Sequence, residues 1–269
     1  LSIIRNDFEK TNITKIKKAK NNKKITMITA YDALFAKLFE EIADIILVGD
    51  SLNMSFAGKP DTLSATLEQM IYHTNAVCNG AKDAFVVLDM PFGTYINKDE
   101  ALTNAVKVYR DTNAAAIKIE GGEDRADIVK HLTSNSIAVM GHIGLMPQYV
   151  RSEGGYKVRG KTDEDTQQLI RDAKALEEAG AFCIVVEGVM SDAAKQITQA
   201  INIPTIGIGA GKETDGQVLV WSDMLGFFEE FKPKFVRHYL DGASLVKDAV
   251  NQYRTDVQNS SFPSPKEEY

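Results

Sequence analysis

The side chains with the clearest capacity for chemistry in this sequence are Asp50, Asp89, Glu120, Glu187 and Lys118. Each carboxylate closes a short apolar run: Asp50 follows Ile45-Ile46-Leu47-Val48-Gly49, Asp89 follows Phe85-Val86-Val87-Leu88, Glu120 follows Ile117-Lys118-Ile119, and Glu187 follows Cys183-Ile184-Val185-Val186. Runs of that length suit buried parallel strands. One acid at a strand end can be a helix cap. Four acids on four strands of a repeating strand–helix chain suggest a common point, as a hard cation or a proton-transfer centre requires. Asp50, Asp89 and Glu120 together suit Mg²⁺, which takes oxygen ligands and keeps waters for a chelating substrate. Lys118 and Glu120 stand two apart and so share one side of a strand. Facing a barrel interior, they are costly to desolvate unless paired or working; the plainer alternative is a buried structural ion pair. Glu187, set between an apolar run and Gly188, is placed to act as a general acid or base.

Other residues read more plainly. His142, after a fifth apolar run, fits a hydrogen-bonded core histidine better than a substrate contact. Ile206-Gly207-Ile208-Gly209-Ala210-Gly211 could admit an anion to its backbone amides, but it lacks the Gly-Lys-Ser/Thr ending of a Walker loop, and glycines there also relieve crowding. Cys78 and Cys183 make no disulfide framework and match no metal spacing. Cys183 sits in an apolar run and reads as a small buried hydrophobe.

The elements that must position these groups follow a regular order. After a polar, lysine-rich opening helix, strands are expected at 25–30, 45–49, 85–88, 116–119, 137–140, 183–186, 204–208 and 218–221. Helices are expected at 33–41, 64–79, about 98–110 (capped by Asn97 or Asp99), 123–132, 163–179 (capped by Thr162 and ended by Gly180), 192–200 and 242–258. Two long loops, 51–63 and 145–161, exceed the usual strand–helix connection and lie on the face where barrels carry function. Eight strands with intervening helices and no internal linker predict an α/β fold: a single-domain (β/α)₈ TIM barrel over residues 1–269, with an additional N-terminal helix, a C-terminal helix and a polar tail at about 259–269. An open doubly wound sheet is the runner-up.

Composition narrows the class. With 44% hydrophobic and 25% charged residues the chain is ordinary for a globular protein. A net charge of −6 disfavours a general nucleic-acid partner. The lysines between 15 and 24 are interspersed with Asn, Ile and Thr and read as a solvated helix face. No apolar stretch reaches the length of a membrane span and the amino end lacks signal-peptide order, so no membrane partner and a cytoplasmic location are expected.

The ordered set of segments resembles the ketopantoate hydroxymethyltransferase family. The resemblance is carried by Ile28-Thr29-Ala30-Tyr31-Asp32, Val48-Gly49-Asp50-Ser51-Leu52, Tyr72-His73-Thr74, Asp89-Met90-Pro91-Phe92, Lys118-Ile119-Glu120-Gly121-Gly122 and Gly141-His142-Ile143-Gly144-Leu145. It continues through Gly154-Gly155-Tyr156-Lys157-Val158, the glycine-rich segment at 206–211 and Asp223-Met224-Leu225-Gly226. The resemblance implies a (β/α)₈ barrel with one Mg²⁺ per subunit. It implies transfer of a hydroxymethyl group from 5,10-methylenetetrahydrofolate to 3-methyl-2-oxobutanoate, giving 2-dehydropantoate and tetrahydrofolate. Carried over residue by residue, it assigns Asp50, Asp89 and Glu120 to the metal, Asp50, Ser51, Asp89 and Lys118 to the oxoacid, and Glu187 to the general base. It implies a homo-oligomer, commonly a decamer, in which the helix at 242–258 could be exchanged between subunits.

Three departures from the family pattern stand out. Asn53 replaces a usual Gly, which a left-handed turn at Asn would accommodate. Gly188 replaces a larger residue, which could loosen the site beside Glu187. Arg151-Ser152-Glu153 replaces a more apolar sequence. A phosphoenolpyruvate mutase or isocitrate lyase-like barrel is the competing enzyme reading, disfavoured because neither cysteine lies in a glycine-rich loop. A non-catalytic metabolite-binding barrel is disfavoured by the presence of all four acids and Lys118.

Overall fold

Short apolar strands with alternating side chains, most of them followed by a helix, build this chain. The structure, a computed structural model, describes residues 10–229 and 232–269. The strands are β1 (Ile25–Thr29), β2 (Ile45–Val48), β3 (Val86–Asp89), β4 (Ala116–Glu120), β5 (Val139–Gly144), β6 (Cys183–Glu187), β7 (Thr205–Ile208) and β8 (Gly216–Leu219). All pair in parallel and in sequence order, and β8 returns to β1, so the barrel closes.

The helices are α1 (Ile13–Lys18), α2 (Ala33–Phe39), α3 (Leu52–Ser55), α4 (Leu67–Gly80), α5 (Lys98–Asp111), α6 (Ala126–Ser134), α7 (Asp163–Glu178), α8 (Ser191–Ala200), α9 (Trp221–Met224) and α10 (Gly242–Gln258). Several of their starts follow capping chemistry. Asp32 accepts from the amides of Leu34 and Phe35, and Thr66 and Gln69 form a reciprocal capping box; Asn97 and Thr162 cap α5 and α7.

Inside the barrel, residues two apart stack in layers. Met27, Ile45, Leu47, Phe85, Val87, Ala116, Met140, Cys183, Val185 and Ile206 form one buried apolar cluster. Continuing each column by two residues gives Asp89 after Val87, Lys118 after Ala116, His142 after Met140 and Glu187 after Val185. Period-2 geometry therefore sets a polar layer on apolar ones, at the carboxyl ends of the strands.

Several boundaries differ from expectation. The fifth strand starts later and runs through Gly144, so His142 lies within it. The eighth covers Gly216–Leu219, and Trp221 opens a short helix instead. The helix expected from 123 begins as a 3₁₀ turn, Glu123–Arg125. The loop at 51–63 contains α3. Asn53 sits in that helix rather than in a left-handed turn, and its amide donates to Asp61 O and Ser64 Oγ. The lysine-rich opening is not wholly solvated: the half-buried Lys20 pairs with Asp215 at 2.9 Å.

The boundary between two compact units falls between Leu219 and Val220. Within the second unit, Trp221 packs edge-on against Phe227. α10 buries Gly242 and Ala243 and exposes Leu245, Val246, Val250, Tyr253 and Val257. Among the described residues, no helix is long and apolar enough to cross a membrane.

Candidate active site

Strand register decides which side chains meet. Asp89 on β3 is level with Lys118 on β4, Glu120 with His142 on β5, and Gly144 with Glu187 on β6. Level residues of neighbouring parallel strands point to the same side, so the polar layer is contiguous. Lys118 Nζ lies 2.8 Å from Asp89 Oδ1 and 3.1 Å from His142 Nδ1. His142 Nδ1 is 3.6 Å from Glu120 Oε1, and its Nε2 is 3.3 Å from Glu187 Oε2. Asp50, just beyond β2, donates its backbone N–H to Asp89 Oδ2 at 3.2 Å. Glu120 is fully buried, and Lys118 is 4% exposed.

The site holds more negative charge than its lysine offsets. Burial pushes the Asp50 carboxyl well above the usual range, and the charges of Asp89 and Glu120 add to this; Lys118 and a hydrogen bond from Gln148 act the other way. Burial alone would depress Lys118, but Asp89, Glu120 and Asp50 outweigh it and hold the ammonium charged. His142 is likewise raised overall: burial and Lys118 lower it, while Glu120 and Glu187 more than compensate.

The sequence-expected residues thus fall into two groups. Lys118 pairs with Asp89, which also takes the Asp50 N–H, while Glu120 and Glu187 both approach this group through His142. Ser51 follows Asp50, and its hydroxyl is 2.9 Å from Tyr31 OH. His142, expected as a core residue, is the bridge of the site. Gln148 and Tyr95 were not expected at all. The Gln148 amide donates to Asp50 Oδ2 at 2.9 Å and to Met90 O at 3.0 Å, and its backbone N–H donates to Glu120 Oε2 at 3.0 Å. Tyr95 OH donates to Gln148 Oε1 and accepts the Glu120 N–H at 3.3 Å. The one available signal was position, since both residues lie on loops after barrel strands.

The departures resolve into packing. Gly188 has φ +56°, and a Cβ there would meet Leu145 Cβ at 2.8 Å, so Leu145 already fills the space. Arg151 pairs with Asp61 at 2.9 Å, tying the loop at 145–161 to the loop at 51–63. In the glycine-rich segment, a Cβ on Gly207 would meet Thr214 Oγ1 at 2.6 Å and one on Gly211 would meet Ser191 Cβ at 2.7 Å, which favours the crowding explanation.

Among the described residues, no three His, Cys, Asp or Glu side chains are gathered as a ready-made metal cage. Lys118 pairs with Asp89 instead, and the Gln148 amide with Asp50. Glu120 Oε1 and His142 Nε2 are buried and make no hydrogen bond among the described residues.

An eight-stranded parallel barrel with acids, a lysine and a histidine at its carboxyl-end mouth defines a (β/α)₈ barrel with a site where such barrels carry their chemistry. Solved structures agree on the fold. A phosphonopyruvate hydrolase solved with oxalate and Mg²⁺ aligns with TM-score 0.62 at 13% identity, covering 96% of this chain and 93% of that one. A 2,3-dimethylmalate lyase of the PEP mutase/isocitrate lyase superfamily aligns with TM-score 0.58 at 16% identity, covering 95% and 89%. Sequence goes further. The profile of the ketopantoate hydroxymethyltransferase family matches residues 10–265. The 3-methyl-2-oxobutanoate hydroxymethyltransferase of Aliarcobacter butzleri is 84% identical over 269 residues, the whole of both chains. That of Sulfurimonas denitrificans is 66% identical over 255 residues, 95% of this chain and 97% of the relative. The chain belongs to the ketopantoate hydroxymethyltransferase family and is an enzyme of the transferase class.

Proposed function

We propose that this enzyme transfers a hydroxymethyl group from 5,10-methylenetetrahydrofolate to 3-methyl-2-oxobutanoate, giving 2-dehydropantoate and tetrahydrofolate for pantothenate and coenzyme A synthesis. The observation that supports the reading is the grouping of Asp50, Asp89 and Glu120 around the charge of Lys118, which pairs with Asp89, with Glu187 3.3 Å from His142. The names of relatives as similar as 84% supply the oxoacid.

The donor set fits Mg²⁺ in kind. It is all oxygen, carries excess negative charge, and includes Glu120 Oε1, a buried oxygen lacking a hydrogen-bond partner. Mg²⁺ usually keeps several waters and takes few protein ligands, so a closed cage is not required. Asp50, Asp89 and Glu120 would hold it, and bound there it would chelate the ketone and carboxylate oxygens of the oxoacid and polarise the ketone.

The remaining work falls to the chain. Lys118, kept charged by its acid neighbours, offsets the negative charge that develops on the ketone oxygen. Glu187 takes the proton from C3, with His142 Nε2 lying 3.3 Å from its Oε2. Loss of that proton leaves C3 as the nucleophile that forms the new carbon–carbon bond to the donor's one-carbon unit; both bonds from that carbon to the folate nitrogens break, water supplies the hydroxyl oxygen, and the C3 proton and one from water end on the two nitrogens of tetrahydrofolate. Ser51 and Asp50 contribute to the oxoacid end.

We assign a homo-oligomeric assembly, of decameric size as in the family, with the exposed apolar side chains of α10 seated on another copy. The buried free thiols of Cys78 and Cys183 suit a reducing compartment, and the cytoplasm is assigned. The deciding test is an NMR assay of oxoacid, donor, enzyme and Mg²⁺. Accumulating 2-dehydropantoate supports the reading; its absence with both substrates saturating overturns it.

A further inference from the structure

Gln148 touches two of the acids with different parts of itself. It lies on a 3₁₀ turn, Pro147–Tyr149, in the loop after β5, and is buried. Its backbone N–H takes Glu120 Oε2; its side-chain amide takes Asp50 Oδ2 and Met90 O. A primary amide has two donors and one acceptor oxygen. Both donors are spent, and the oxygen accepts from Tyr95 OH. The reversed amide would set its oxygen against two acceptors, so one orientation alone is tenable. Tyr95 is in turn held by the Glu120 N–H.

This closed set of bonds sorts the carboxylate oxygens. Asp50 Oδ2 and Glu120 Oε2 are engaged by residue 148, and Asp89 Oδ2 by the Asp50 N–H. Asp50 Oδ1 takes none of these bonds, and Glu120 Oε1 is buried without a hydrogen bond. Neither Gln148 nor Tyr95 was needed for the chemistry set out above, yet between them they determine which oxygens remain for a ligand.

We propose that Gln148, locked by Tyr95, is a positioning residue of the oxoacid–cation site, fixing the Asp50 and Glu120 carboxylates so that one oxygen of each is left for the ligand. The inference rests on the proposed function, because it takes the ligand to be Mg²⁺ with a 2-oxoacid. A neutral amide serves here where a carboxylate cannot: Glu at 148 would keep the shape but set a further acid against Asp50.

The test measures calorimetric binding of 3-methyl-2-oxobutanoate with Mg²⁺, alongside the melting temperature, in wild type, Q148M, Q148E, Y95F and Y95F/Q148M. Losing a hydrogen bond to a charged group should weaken binding in Q148M by roughly 10- to 100-fold. Y95F should act in the same direction by about 3- to 10-fold, and Y95F/Q148M should bind no worse than Q148M, because the two residues act as one unit. Q148E should bind worse than Q148M, the reverse of the order that shape alone would give. Affinity within about twofold of wild type in folded Q148M or Y95F overturns the inference, as does simple additivity in the double variant or Q148E binding better than Q148M. If Q148M does not fold, Y95F decides. Wild type that binds no oxoacid with Mg²⁺ sinks the functional reading and this inference with it, whereas normal wild-type binding with indifferent variants sinks this inference alone.

Discussion

Lys118→Met is the sharpest perturbation of the site. The ammonium lies 2.8 Å from Asp89 Oδ1 and 3.1 Å from His142 Nδ1, and it is 4% exposed. At that separation and an effective dielectric constant of about 20, the attraction to Asp89 alone is roughly 6 kcal/mol, before desolvation is set against it. Methionine keeps most of the volume, so little cavity cost is expected. What remains is a buried acid cluster stripped of its lysine, and breaking one partner of a buried pair typically costs about 3–5 kcal/mol. At roughly 2–4 °C per kcal/mol for a chain of this order of size, the metal-free variant should melt about 6–20 °C below wild type. Mg²⁺ should recover part of the loss, since a cation bound only to the folded state stabilises it by mass action, about 2.7 kcal/mol at a hundredfold excess over Kd. Turnover should not recover, because the developing oxyanion loses its counter-charge. The assay is thermal unfolding by circular dichroism with chelator and with Mg²⁺, paired with product formation. A metal-free melting point within about 2 °C of wild type would show that the acids do not depend on Lys118, and the electrostatic account of the site would fail.

Other perturbations separate the roles. Glu187→Gln should abolish Mg²⁺-dependent exchange of the C3 proton of 3-methyl-2-oxobutanoate in D₂O while leaving oxoacid binding within about tenfold, and undiminished exchange would remove Glu187 as the base. Asp89→Ala should lose Mg²⁺-dependent oxoacid binding in calorimetry; unchanged binding would refute its place as a ligand. Lys20→Met breaks the buried pair with Asp215, whose Oδ2 also accepts from the Thr205 N–H and hydroxyl. It should destabilise by about 3–5 kcal/mol and leave oxoacid affinity unchanged, and an affinity loss without a lower melting point would contradict a purely structural role. Arg151→Ala removes the exposed pair with Asp61 and should change stability by no more than about 1 kcal/mol; a larger drop in melting temperature would mean that the two long loops rely on this tie.

The barrel was legible because its signals are local. Short apolar runs, four of them ended by acids, marked the eight strands, and Asn97 and Thr162 marked helix starts by side-chain capping. The period of two carried the acids and Lys118 to one side without any knowledge of the register. The same rule could have placed His142, since Met140 and His142 stand two apart. Glycines at 141 and 144 hid the continuation, because they broke the apolar run while the backbone stayed extended. Gln148 and Tyr95 were illegible for a different reason. A loop residue's neighbours depend on how the loop folds back over the barrel, and nothing in the spacing of Pro147, Gln148 and Tyr149 foretells a bond to Asp50, ninety-eight positions earlier.

That difference bears on what separates this enzyme from barrels of the same shape. At 13% identity to phosphonopyruvate hydrolase and 16% to 2,3-dimethylmalate lyase, little sequence beyond the barrel pattern is shared, so likeness of fold cannot assign the reaction. The strands supply acids at the mouth, a property that many chemistries can use. The loops decide which carboxylate oxygens are engaged and which remain, as the Gln148 amide does for Asp50 and its backbone N–H does for Glu120. Specificity in such a site is a matter of hydrogen-bond accounting at the strand ends, and the residues that perform it lie in the segments where sequence periodicity is weakest.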